Sequence, residues 1–481
     1  MTTTEIPAPE GKQYLPYQLK GIRYALGAPG TLIADEMGLG KTVQAIGVIN
    51  ATQPLRTLII CPAGLKQVWR DELNAWLVHK PRGQGGPTVQ VVSYGEAQKA
   101  FAGGLGLIDL LIVDEAHYIK HADTKRSQCV QAIAVLASRV LLLTGTPVEN
   151  SPIELWPLLR IVAPKAWDPA ATKVGIITAE QKKSHPGEGV NFWAFAKKYC
   201  GLKRISRPLP RGGFAMAWDF SGASNLDELA KRLRNTCMVR RLKKDVLEQL
   251  PPKRRQVVVL PSIAINDDDL LPGLSEENYE TMIAALVADK VKFTEYSKRR
   301  HEQALKIADQ VIAHVNDCLD SADKVILFAH HKDVIEKFVS AFRTENDHEF
   351  CAVVTGETHV ADRGAEVKRF QVNPKCRLFI GSIGAAGVGL TLTAASLVVF
   401  AELDPVPGRM TQAEDRAHRI GQKEMVVVHV LVANHSLSAR MAKIVVKKQA
   451  VISRVLDVGG TVYGCGGRAE MTESQFRPGR D

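Results

Sequence analysis

Asp35-Glu36-Met37-Gly38-Leu39-Gly40-Lys41-Thr42 follows a short apolar run and ends on a lysine and a threonine. A glycine-rich turn of this kind presents backbone N–H groups and a helix N-terminus to an anion, and its lysine can reach the β- and γ-phosphates of a triphosphate. The Thr42 hydroxyl can hold Mg²⁺. Because Asp35 stands where the usual pattern has its first glycine, the loop taken alone is also compatible with an ordinary turn before a helix. The stretch predicts an α/β domain in which this loop joins a strand to a helix.

A second motif, Asp114-Glu115-Ala116-His117, follows the apolar run Leu110–Val113. Paired carboxylates at the end of a strand suit the other half of a triphosphate site. We expect Asp114 to bind the metal, usually through water, and Glu115 to orient or deprotonate the attacking water. Taken alone, the pair is also compatible with a solvated turn.

A third motif lies near the end of the chain, in the segment Gln412–Gln422. Arg416 and Arg419 are three residues apart on one predicted helix, so both can reach a transferring phosphate as arginine fingers. By itself the pair is also typical of a solvated helix face. The three motifs in this order predict ATP hydrolysis with ATP and Mg²⁺ as cofactors, and Thr42 and Asp114 are the predicted metal ligands.

Size and composition limit the class of protein. With 481 residues the chain is too long for one ordinary core. A hydrophobic content of 45% with 23% charged residues is typical of a soluble globular protein. The net charge of +11 favours a polyanionic partner such as nucleic acid. No apolar run approaches the roughly 20 residues that span a membrane, so we expect no membrane partner.

The cysteines and the N-terminus indicate a cytoplasmic protein. The eight cysteines are scattered, with no C-x-x-C spacing, and are expected to be reduced and mostly buried thiols. A zinc site is therefore not expected from the sequence. The segment Met1–Pro7 lacks the basic and apolar regions of a secretory signal. His330 and His331 follow a predicted strand without a nearby set of metal ligands, so we expect structural roles for both.

Apolar runs and helical patterns alternate twice along the chain, which predicts two parallel α/β sheets. The first set of predicted strands is 31–36, 56–61, 88–93, 108–114 and 139–144, with helices at 41–50, 64–77 and 124–137. The second set of predicted strands is 325–329, 350–354, 377–380, 397–401 and 426–432, with a closing helix at 437–456. Between the two sets, strands are not expected from about 154 to 248. Because ligands bind at the carboxyl edge of such sheets, the phosphate loop and Asp114-Glu115 should meet there.

The motifs resemble those of the Swi/Snf-type ATPases of helicase superfamily two, from about Tyr14 to Asp457. Leu15-Pro16-Tyr17-Gln18-Leu19-Lys20-Gly21 is similar to the family's Q-motif, in which Gln18 would read the adenine edge. Ile59-Ile60-Cys61-Pro62-Ala63 and Ser93-Tyr94 resemble its first nucleic-acid motifs. Leu143-Thr144-Gly145-Thr146-Pro147 resembles the motif that couples ATP to nucleic acid.

Later segments extend the resemblance. Gly387-Val388-Gly389-Leu390-Thr391-Leu392 is similar to the second-lobe motif that touches both the nucleic-acid backbone and ATP. Arg240-Arg241-Leu242-Lys243-Lys244-Asp245-Val246, with Leu250-Pro251-Pro252-Lys253 after it, resembles the helical protrusion of these translocases. Within the family, the resemblance is closest to the annealing-helicase, fork-remodelling branch. It rests on Tyr199–Gly201, Trp218–Leu226, Phe328–Lys332 and Val399–Leu403. One departure is Asp404-Pro405-Val406-Pro407-Gly408, where this branch has an aromatic residue followed by Trp-Asn-Pro-Gly.

The resemblance implies an α/β fold of two RecA-like parallel-sheet lobes with helical protrusion insertions and a C-terminal brace helix. The implied domains are lobe 1 (12–155), a helical protrusion with the end of lobe 1 (156–250), a linker with a second helical protrusion (251–323), lobe 2 with the brace helix (324–457) and a flexible tail (458–481). The chain resembles a bare motor without accessory domains, expected in the cytoplasm of a prokaryote or encoded by a phage, and associated with the nucleoid. The implied partner is double-stranded or forked DNA, the expected state is a monomer, and a protein partner is left open.

The resemblance also implies roles for individual residues. The implied ATP-binding residues are Gln18, Asp35, Glu36, Met37, Gly38, Leu39, Gly40, Lys41, Thr42, His117, Gly387 and Gln412. The implied nucleic-acid contacts are Pro62, Ala63, Ser93, Tyr94, Thr144, Gly145, Thr146, Arg240, Arg241, Ser382 and Gly389. The implied catalytic residues are Lys41, Thr42, Asp114, Glu115, Arg416 and Arg419.

These residues favour an ATP-dependent translocase on double-stranded DNA that remodels or re-anneals branched DNA or DNA–protein complexes. One alternative is a strand-separating DNA or RNA helicase, which stimulation by single strands or RNA would indicate. An alternative of another class is a DNA-binding module that has lost hydrolysis. The presence of Lys41, both carboxylates and both arginines argues against the second alternative.

Overall fold

The computed structural model describes residues 5–79, 87–149, 151–167, 192–208, 214–220, 222–247, 249–260, 290–343, 349–386, 390–404 and 406–433. They divide into two compact units, which we call the first and second lobes. The first lobe contains the described residues up to 206 and those of 216–247, and the second lobe contains those of 249–433. Each lobe has a six-stranded sheet in which every pairing is parallel. The two parallel α/β lobes predicted from the sequence are thereby confirmed.

The sheet of the first lobe has the strand order β3-β2-β4-β5-β1-β8. Its strands are β1 (Gly30–Ile33), β2 (Arg56–Cys61), β3 (Thr88–Ser93), β4 (Ile108–Asp114), β5 (Ala137–Leu143) and β8 (Met238–Val239). Its α-helices are α1 (Pro16–Leu26), α2 (Lys41–Thr52), α3 (Lys66–Trp76), α4 (Tyr94–Ala102), α5 (Lys125–Val135), α6 (Trp156–Val162), α7 (Pro164–Trp167), α8 (Phe192–Tyr199), α9 (Leu226–Thr236) and α10 (Lys243–Val246). Three short 3₁₀ helices lie at Ala63–Leu65, Ala116–Ile119 and Pro152–Leu155. All five strands predicted for this lobe are present, within a few residues at each end.

The expectation that strands are absent from 154 to 248 is wrong. The segments β6 (Lys203–Pro208) and β7 (Phe214–Asp219) form a separate two-stranded sheet, and β8 joins β1 at the edge of the main sheet. The sequence of β6 has no continuous apolar run, whereas β7 begins with the apolar run Phe214–Trp218, which is a local signal for a strand. By contrast, β8 has only two residues, and the backbone hydrogen bonds of β1 hold it in place.

The sheet of the second lobe has the strand order β11-β12-β10-β13-β14-β9. Its strands are β9 (Lys253–Leu260), β10 (Val325–Ala329), β11 (Cys351–Val354), β12 (Leu378–Ser382), β13 (Leu397–Phe400) and β14 (Val426–Ala433). Its helices are α11 (Lys290–Ser321), α12 (Lys332–Phe342), α13 (Val360–Val372), α14 (Ile383–Ala386) and α15 (Pro407–Glu414). The closing helix expected at 437–456 and the tail at 458–481 lie outside the described residues.

The second lobe begins earlier in the chain than the expected boundary at 324. The strand β9 pairs with β14 over its whole length, from Lys253 beside Val426 to Leu260 beside Ala433. The C-terminal half of α11 packs on one face of the same sheet. Both elements lie in the range that we expected to be a linker and a second protrusion. The first half of β9, Lys253–Gln256, is charged or polar and its second half, Val257–Leu260, is apolar, so the start of this edge strand resembles a basic connector.

No helix in the described ranges is both long and apolar enough to cross a membrane.

Candidate nucleotide-binding and catalytic site

The phosphate loop, residues 35–40, lies in the first lobe between β1 and α2. Gly40 has a φ of +69°, a left-handed conformation that L-residues rarely adopt, and α2 begins at the next residue, Lys41. The loop therefore delivers the chain to the N-terminus of a 12-residue helix whose first N–H groups suit an anion. On its other side, the hydroxyl of Tyr17 and the amide of Gln18 donate to the Leu39 carbonyl oxygen.

The Lys41 ammonium lies at the centre of the loop. Its Nζ donates to the carbonyl oxygen of Asp35 at 2.8 Å and to that of Glu36 at 3.4 Å. Burial lowers the pKa of Lys41, while the charges of Glu115, Asp35 and Asp114 oppose this shift. The phosphate loop and Asp114-Glu115 follow β1 and β4 of the same parallel sheet, so the two motifs lie at one sheet edge, as expected.

The carboxylate of Asp35, which replaces the usual first glycine, is entirely buried and is used inside the protein. The guanidinium of Arg241 binds it in a fork, with Nε at 2.9 Å from Oδ1 and Nη2 at 2.6 Å from Oδ2. The amide of Gln44 on α2 donates to the same carboxylate at 2.8 Å. The Arg241 guanidinium also donates to the Tyr17 carbonyl oxygen. Asp35 thus anchors the base of the loop, and its side chain is not available to bind a nucleotide.

Arg240 and Arg241, which we expected to contact DNA, lie behind the phosphate loop. The Arg240 guanidinium donates to the carbonyl oxygens of Ala34 at 2.6 Å and Gly145 at 3.2 Å. The Glu36 carboxylate accepts from the Lys243 backbone N–H at 2.7 Å. Both arginines follow β8, which places them beside the end of β1. They therefore hold the loop through internal contacts, and the DNA contact that we expected of their side chains is not available in this conformation.

Asp114 ends β4, and its buried carboxylate is held by two hydrogen bonds. The indole Nε1 of Trp69 donates to Oδ2 at 2.8 Å, and the Glu115 backbone N–H donates to Oδ1 at 2.9 Å. Burial and the charge of Glu115 raise the pKa of Asp114 to about 6, although the Trp69 hydrogen bond lowers it. Trp69 is a functional residue that the sequence did not reveal, because its helical spacing predicts only a core position, where it does lie.

Glu115 adopts a left-handed conformation with a φ of +50°. The hydroxyl of Tyr94 donates to the carbonyl oxygens of Asp114 at 2.8 Å and Glu115 at 3.3 Å, and these hydrogen bonds stabilise the turn. The Glu115 carboxylate lies 3.2 Å from Nδ1 of His117, and the same nitrogen lies 3.2 Å from the Thr144 hydroxyl. Burial opposes the charged form of His117, but the hydrogen bond and charge of Glu115 outweigh it and raise the pKa. His117 therefore connects the Glu115 carboxylate to the Thr144–Thr146 segment.

The other expected nucleic-acid contacts of the first lobe differ in their exposure. Ala63 is exposed and Pro62 is half-buried, at the start of a 3₁₀ helix. The half-buried Ser93 caps α4 by accepting from the Glu96 backbone N–H. By contrast, the side chains of Tyr94, Thr144 and Thr146 are buried, so they cannot contact a phosphate in this conformation. A contact through Pro62, Ala63 or Ser93 stays a prediction.

Arg416 and Arg419 lie in the second lobe, in turns that follow α15 and not on the helix that we expected. After Glu414 the chain continues in turns, in which the Arg416 and Ala417 N–H groups donate to the carbonyl oxygens three residues before them, and the Arg416 carbonyl oxygen accepts from the Leu392 backbone N–H. The Arg419 guanidinium donates to the Leu390 carbonyl oxygen at 3.2 Å and to the Thr391 hydroxyl at 3.1 Å.

Two carboxylates precede these arginines, and two cations of β9 bind them. Lys253 Nζ lies 2.9 Å from both Glu414 and Asp415, and the Arg255 guanidinium binds Glu414 at 2.5 Å. Burial opposes ionisation of Glu414, but Arg255 and Lys253 lower its pKa. This cluster fixes the start of the arginine-bearing turn.

Of the other residues expected in the second lobe, Gln412 is buried on α15 and Ser382 ends β12. Gly387 and Gly389 lie outside the described residues. His331 has a structural contact, as expected, because its Nδ1 lies 2.5 Å from the Glu402 carboxylate.

The residues of the first lobe fit a magnesium–triphosphate group. The Thr42 hydroxyl and the Asp114 carboxylate are oxygen ligands of the kind that Mg²⁺ prefers. Gly145 approaches the phosphate loop closely, since an added Cβ would lie 2.5 Å from Met37 Cγ and 3.4 Å from Lys41 Nζ. The Lys41 ammonium donates to the backbone carbonyl oxygens of Asp35 and Glu36, and phosphate oxygens can replace these.

Comparison with known proteins places the chain in a family. The model of the SNF2-related domain matches residues 17–99 and 88–267, and that of the helicase conserved C-terminal domain matches residues 306–421.

Curated relatives agree with both matches. The Xenopus tropicalis protein named SWI/SNF-related matrix-associated actin-dependent regulator of chromatin subfamily A-like protein 1 is 32% identical over 451 residues, which are 89% of this chain and 43% of that protein. The human DNA annealing helicase and endonuclease ZRANB3 is 35% identical over 479 residues, which are 92% of this chain and 40% of that protein. The chain thus spans less than half the length of these two relatives.

Among solved structures, the Sulfolobus solfataricus SWI2/SNF2 ATPase core in complex with dsDNA is 22% identical, with a TM-score of 0.41, covering 95% of this chain and 96% of that one. The SNF2-related model alone matches more than half of the chain, and its match includes the phosphate loop and Asp114-Glu115. The chain belongs to the SNF2-related family of helicase-like ATPases.

Proposed function

We propose that this chain is a DNA-dependent ATPase that moves along double-stranded DNA and remodels or re-anneals branched DNA. The observation that carries the proposal is the assembly of Lys41, Asp114 and Glu115 at one sheet edge, where each is held by residues of the same lobe. The names of the relatives support DNA as the substrate, since one of them is a DNA annealing helicase. The basic charge of the chain suits the same partner.

The first lobe would bind and activate the nucleotide. Lys41 and the N–H groups at the start of α2 bind the β- and γ-phosphates, and Lys41 exchanges its carbonyl contacts for phosphate oxygens. Thr42 and Asp114 would hold Mg²⁺, which neutralises charge on the phosphates when it is bound. Glu115 orients the attacking water and accepts its proton. His117 holds the Glu115 carboxylate and contacts the Thr144 hydroxyl through the same ring nitrogen, so a movement of one group affects the other.

The second lobe would complete catalysis. Arg416 and Arg419 stabilise the charge that develops on the transferring phosphate, as arginine fingers do in related motors. Because these arginines and Lys41 belong to different lobes, hydrolysis depends on the conformation of the chain, which can couple it to movement. Grip on DNA comes from contacts to the phosphate backbone, because a translocase must be indifferent to sequence. We also propose that the chain acts as a monomer.

The test is steady-state ATPase activity without nucleic acid and with single-stranded DNA, duplex DNA, a model fork or RNA, each at two salt concentrations. We expect the highest rate on duplex or fork, weakened by salt, since phosphate contacts release counterions. Lys41→Ala and Glu115→Gln should reduce the rate by at least about a hundredfold. Lys125→Ala, at an exposed lysine of the same lobe, is the matched control and should retain it.

Stimulation of the ATPase activity only by single-stranded DNA or RNA would contradict the translocase proposal and indicate a strand-separating helicase. Nucleotide binding without hydrolysis on any nucleic acid would indicate a DNA-binding module.

A further inference from the structure

Three side chains that can ligate a metal meet inside the second lobe, away from the residues assigned to ATP. His314 and Cys318 belong to α11, and His429 belongs to β14. They lie where α11 packs on the sheet, beside the apolar side chains of Val311, Val315 and Leu431. A polar cluster in such a place needs a partner for each polar atom.

Local structure brings the three side chains to one point. His314 and Cys318 are four residues apart, so they lie one above the other on the same helix face. Along β14, alternate residues point to the same face, and His429 stands between Val427 and Leu431, which both pack on the α11 side. Helix and strand therefore present the three groups to each other.

The separations of the three ligand atoms are those of a metal site. Nε2 of His314 lies 3.0 Å from Nδ1 of His429, and Sγ of Cys318 lies 3.5 Å from the first nitrogen and 3.8 Å from the second. A point equidistant from three atoms so spaced is about 2.0 Å from each, against ordinary zinc bonds of about 2.0–2.1 Å to nitrogen and about 2.3 Å to sulfur. A shift of a few tenths of an ångström satisfies all three lengths.

We propose that His314, Cys318 and His429 bind a zinc ion that joins α11 to β14 in the second lobe. Two imidazoles and one thiolate are a ligand set that zinc accepts, and three protein ligands leave a fourth position for water. No C-x-x-C spacing announces this site, which is why the sequence argued against zinc. The available signal was a histidine and a cysteine four apart on a predicted helix.

Zinc binding at these three residues releases the proton of the Cys318 thiol. Burial raises the pKa of the Cys318 thiol to about 11, so the thiol is protonated without metal. Zinc replaces this proton when the sulfur–metal bond forms, and one proton is released for each ion. Burial also lowers the pKa of both imidazoles, which leaves them neutral and able to coordinate. Without metal, the two rings share a hydrogen bond, which is the competing interpretation.

Cobalt titration of the full chain tests the proposal. Protein freed of metal with a chelator is titrated with Co²⁺, and absorbance is followed for the thiolate-to-cobalt charge-transfer band and the visible bands of a four-coordinate site. We expect saturation at one equivalent and displacement by Zn²⁺. Cys318→Ala should lose the charge-transfer band, whereas Cys351→Ala, at another buried thiol of the same lobe, should keep it. These absorbance measurements do not depend on ATP hydrolysis, so the zinc-site proposal and the proposed function can be contradicted separately.

Thermal unfolding provides a second measurement. Zinc at a hundred times its dissociation constant should stabilise the folded wild-type chain by about 2.7 kcal/mol through mass action. It should not raise the unfolding temperature of His429→Gln. Absence of a thiolate band in the wild-type chain, or an equal band in Cys318→Ala, would overturn the proposal and leave the three residues as a hydrogen-bonded cluster. If Cys318→Ala does not fold, the wild-type titration alone decides.

Discussion

The two lobes hold the residues proposed for catalysis in comparable ways, but with different numbers of charges. In the first lobe, Arg241 binds the buried carboxylate of Asp35 at the base of the phosphate loop. In the second lobe, Lys253 and Arg255 bind the carboxylates that directly precede Arg416. In both, the cations come from the middle of the chain, on either side of the lobe boundary at 248.

The difference between the anchors lies in redundancy. Asp35 depends on one cation, whose guanidinium forms a fork with it, and on the neutral amide of Gln44. In the second anchor Lys253 binds both Glu414 and Asp415, and Arg255 binds Glu414 as well, so both carboxylates keep a bound cation when Arg255 is lost. A buried ion pair contributes little net stability, but removal of one partner leaves an uncompensated buried charge. The first anchor should therefore be the more fragile of the two.

The largest effect is expected from Arg241→Met. Loss of the guanidinium that binds the Asp35 carboxylate directly should destabilise the first lobe by about 3–5 kcal/mol and disturb the phosphate loop. Hydrogen exchange, followed peptide by peptide, measures the loss in each lobe. The double variant Asp35→Leu with Arg241→Met should recover most of the stability, because no buried charge then remains. An equal loss of stability in the double variant would show that the packing of the two side chains, and not their charges, stabilises the first lobe.

An intermediate effect is expected from Arg255→Met. Lys253 still binds both Glu414 and Asp415, so the second lobe should lose only about 1–3 kcal/mol. Because the arginine-bearing turn loosens, kcat should fall while nucleotide affinity in the first lobe is unchanged. Hydrogen exchange and ATPase kinetics check the two parts, and Lys375→Met, at an exposed lysine, is the matched control. A loss as large as that of Arg241→Met would remove the distinction between the anchors.

The smallest effect is expected from Trp69→Phe, which keeps the packing and removes one hydrogen bond to Asp114. The indole N–H stabilises the charged carboxylate, so its loss should raise the pKa of Asp114 further above its usual range. Magnesium requires the ionised form, so binding weakens as the pH falls through about 6 in the wild-type chain.

In Trp69→Phe this transition should move to higher pH. Binding of magnesium–nucleotide, measured from pH 5 to 8, should be weaker by up to about tenfold at pH 6 and nearly unchanged at pH 8. Identical profiles for the two proteins would mean that Trp69 serves only packing. This result would leave the anchors unaffected.

The strands and motifs that the sequence predicted correctly are those with local signals. Continuous apolar runs identify β1, β4 and β5. The phosphate loop requires a left-handed backbone at Gly38 and Gly40, which glycine adopts readily. The errors concern contacts between distant residues. Arg241 is 206 positions from Asp35, and no local pattern indicates that its charge is used internally. A basic run is ordinarily solvated, and this one was interpreted accordingly.

The sequence by itself determined two parallel α/β lobes, the phosphate loop, the Asp114-Glu115 pair and membership of the family, because periodicity and motif spacing are properties of short segments. Only the tertiary structure decided which charges are anchors, that Trp69 holds Asp114, that Arg416 lies in a turn and that His314, Cys318 and His429 converge. Each of these depends on burial and on contacts between residues far apart in the chain. Such contacts are set by the packing of helices on sheets, which no local pattern encodes.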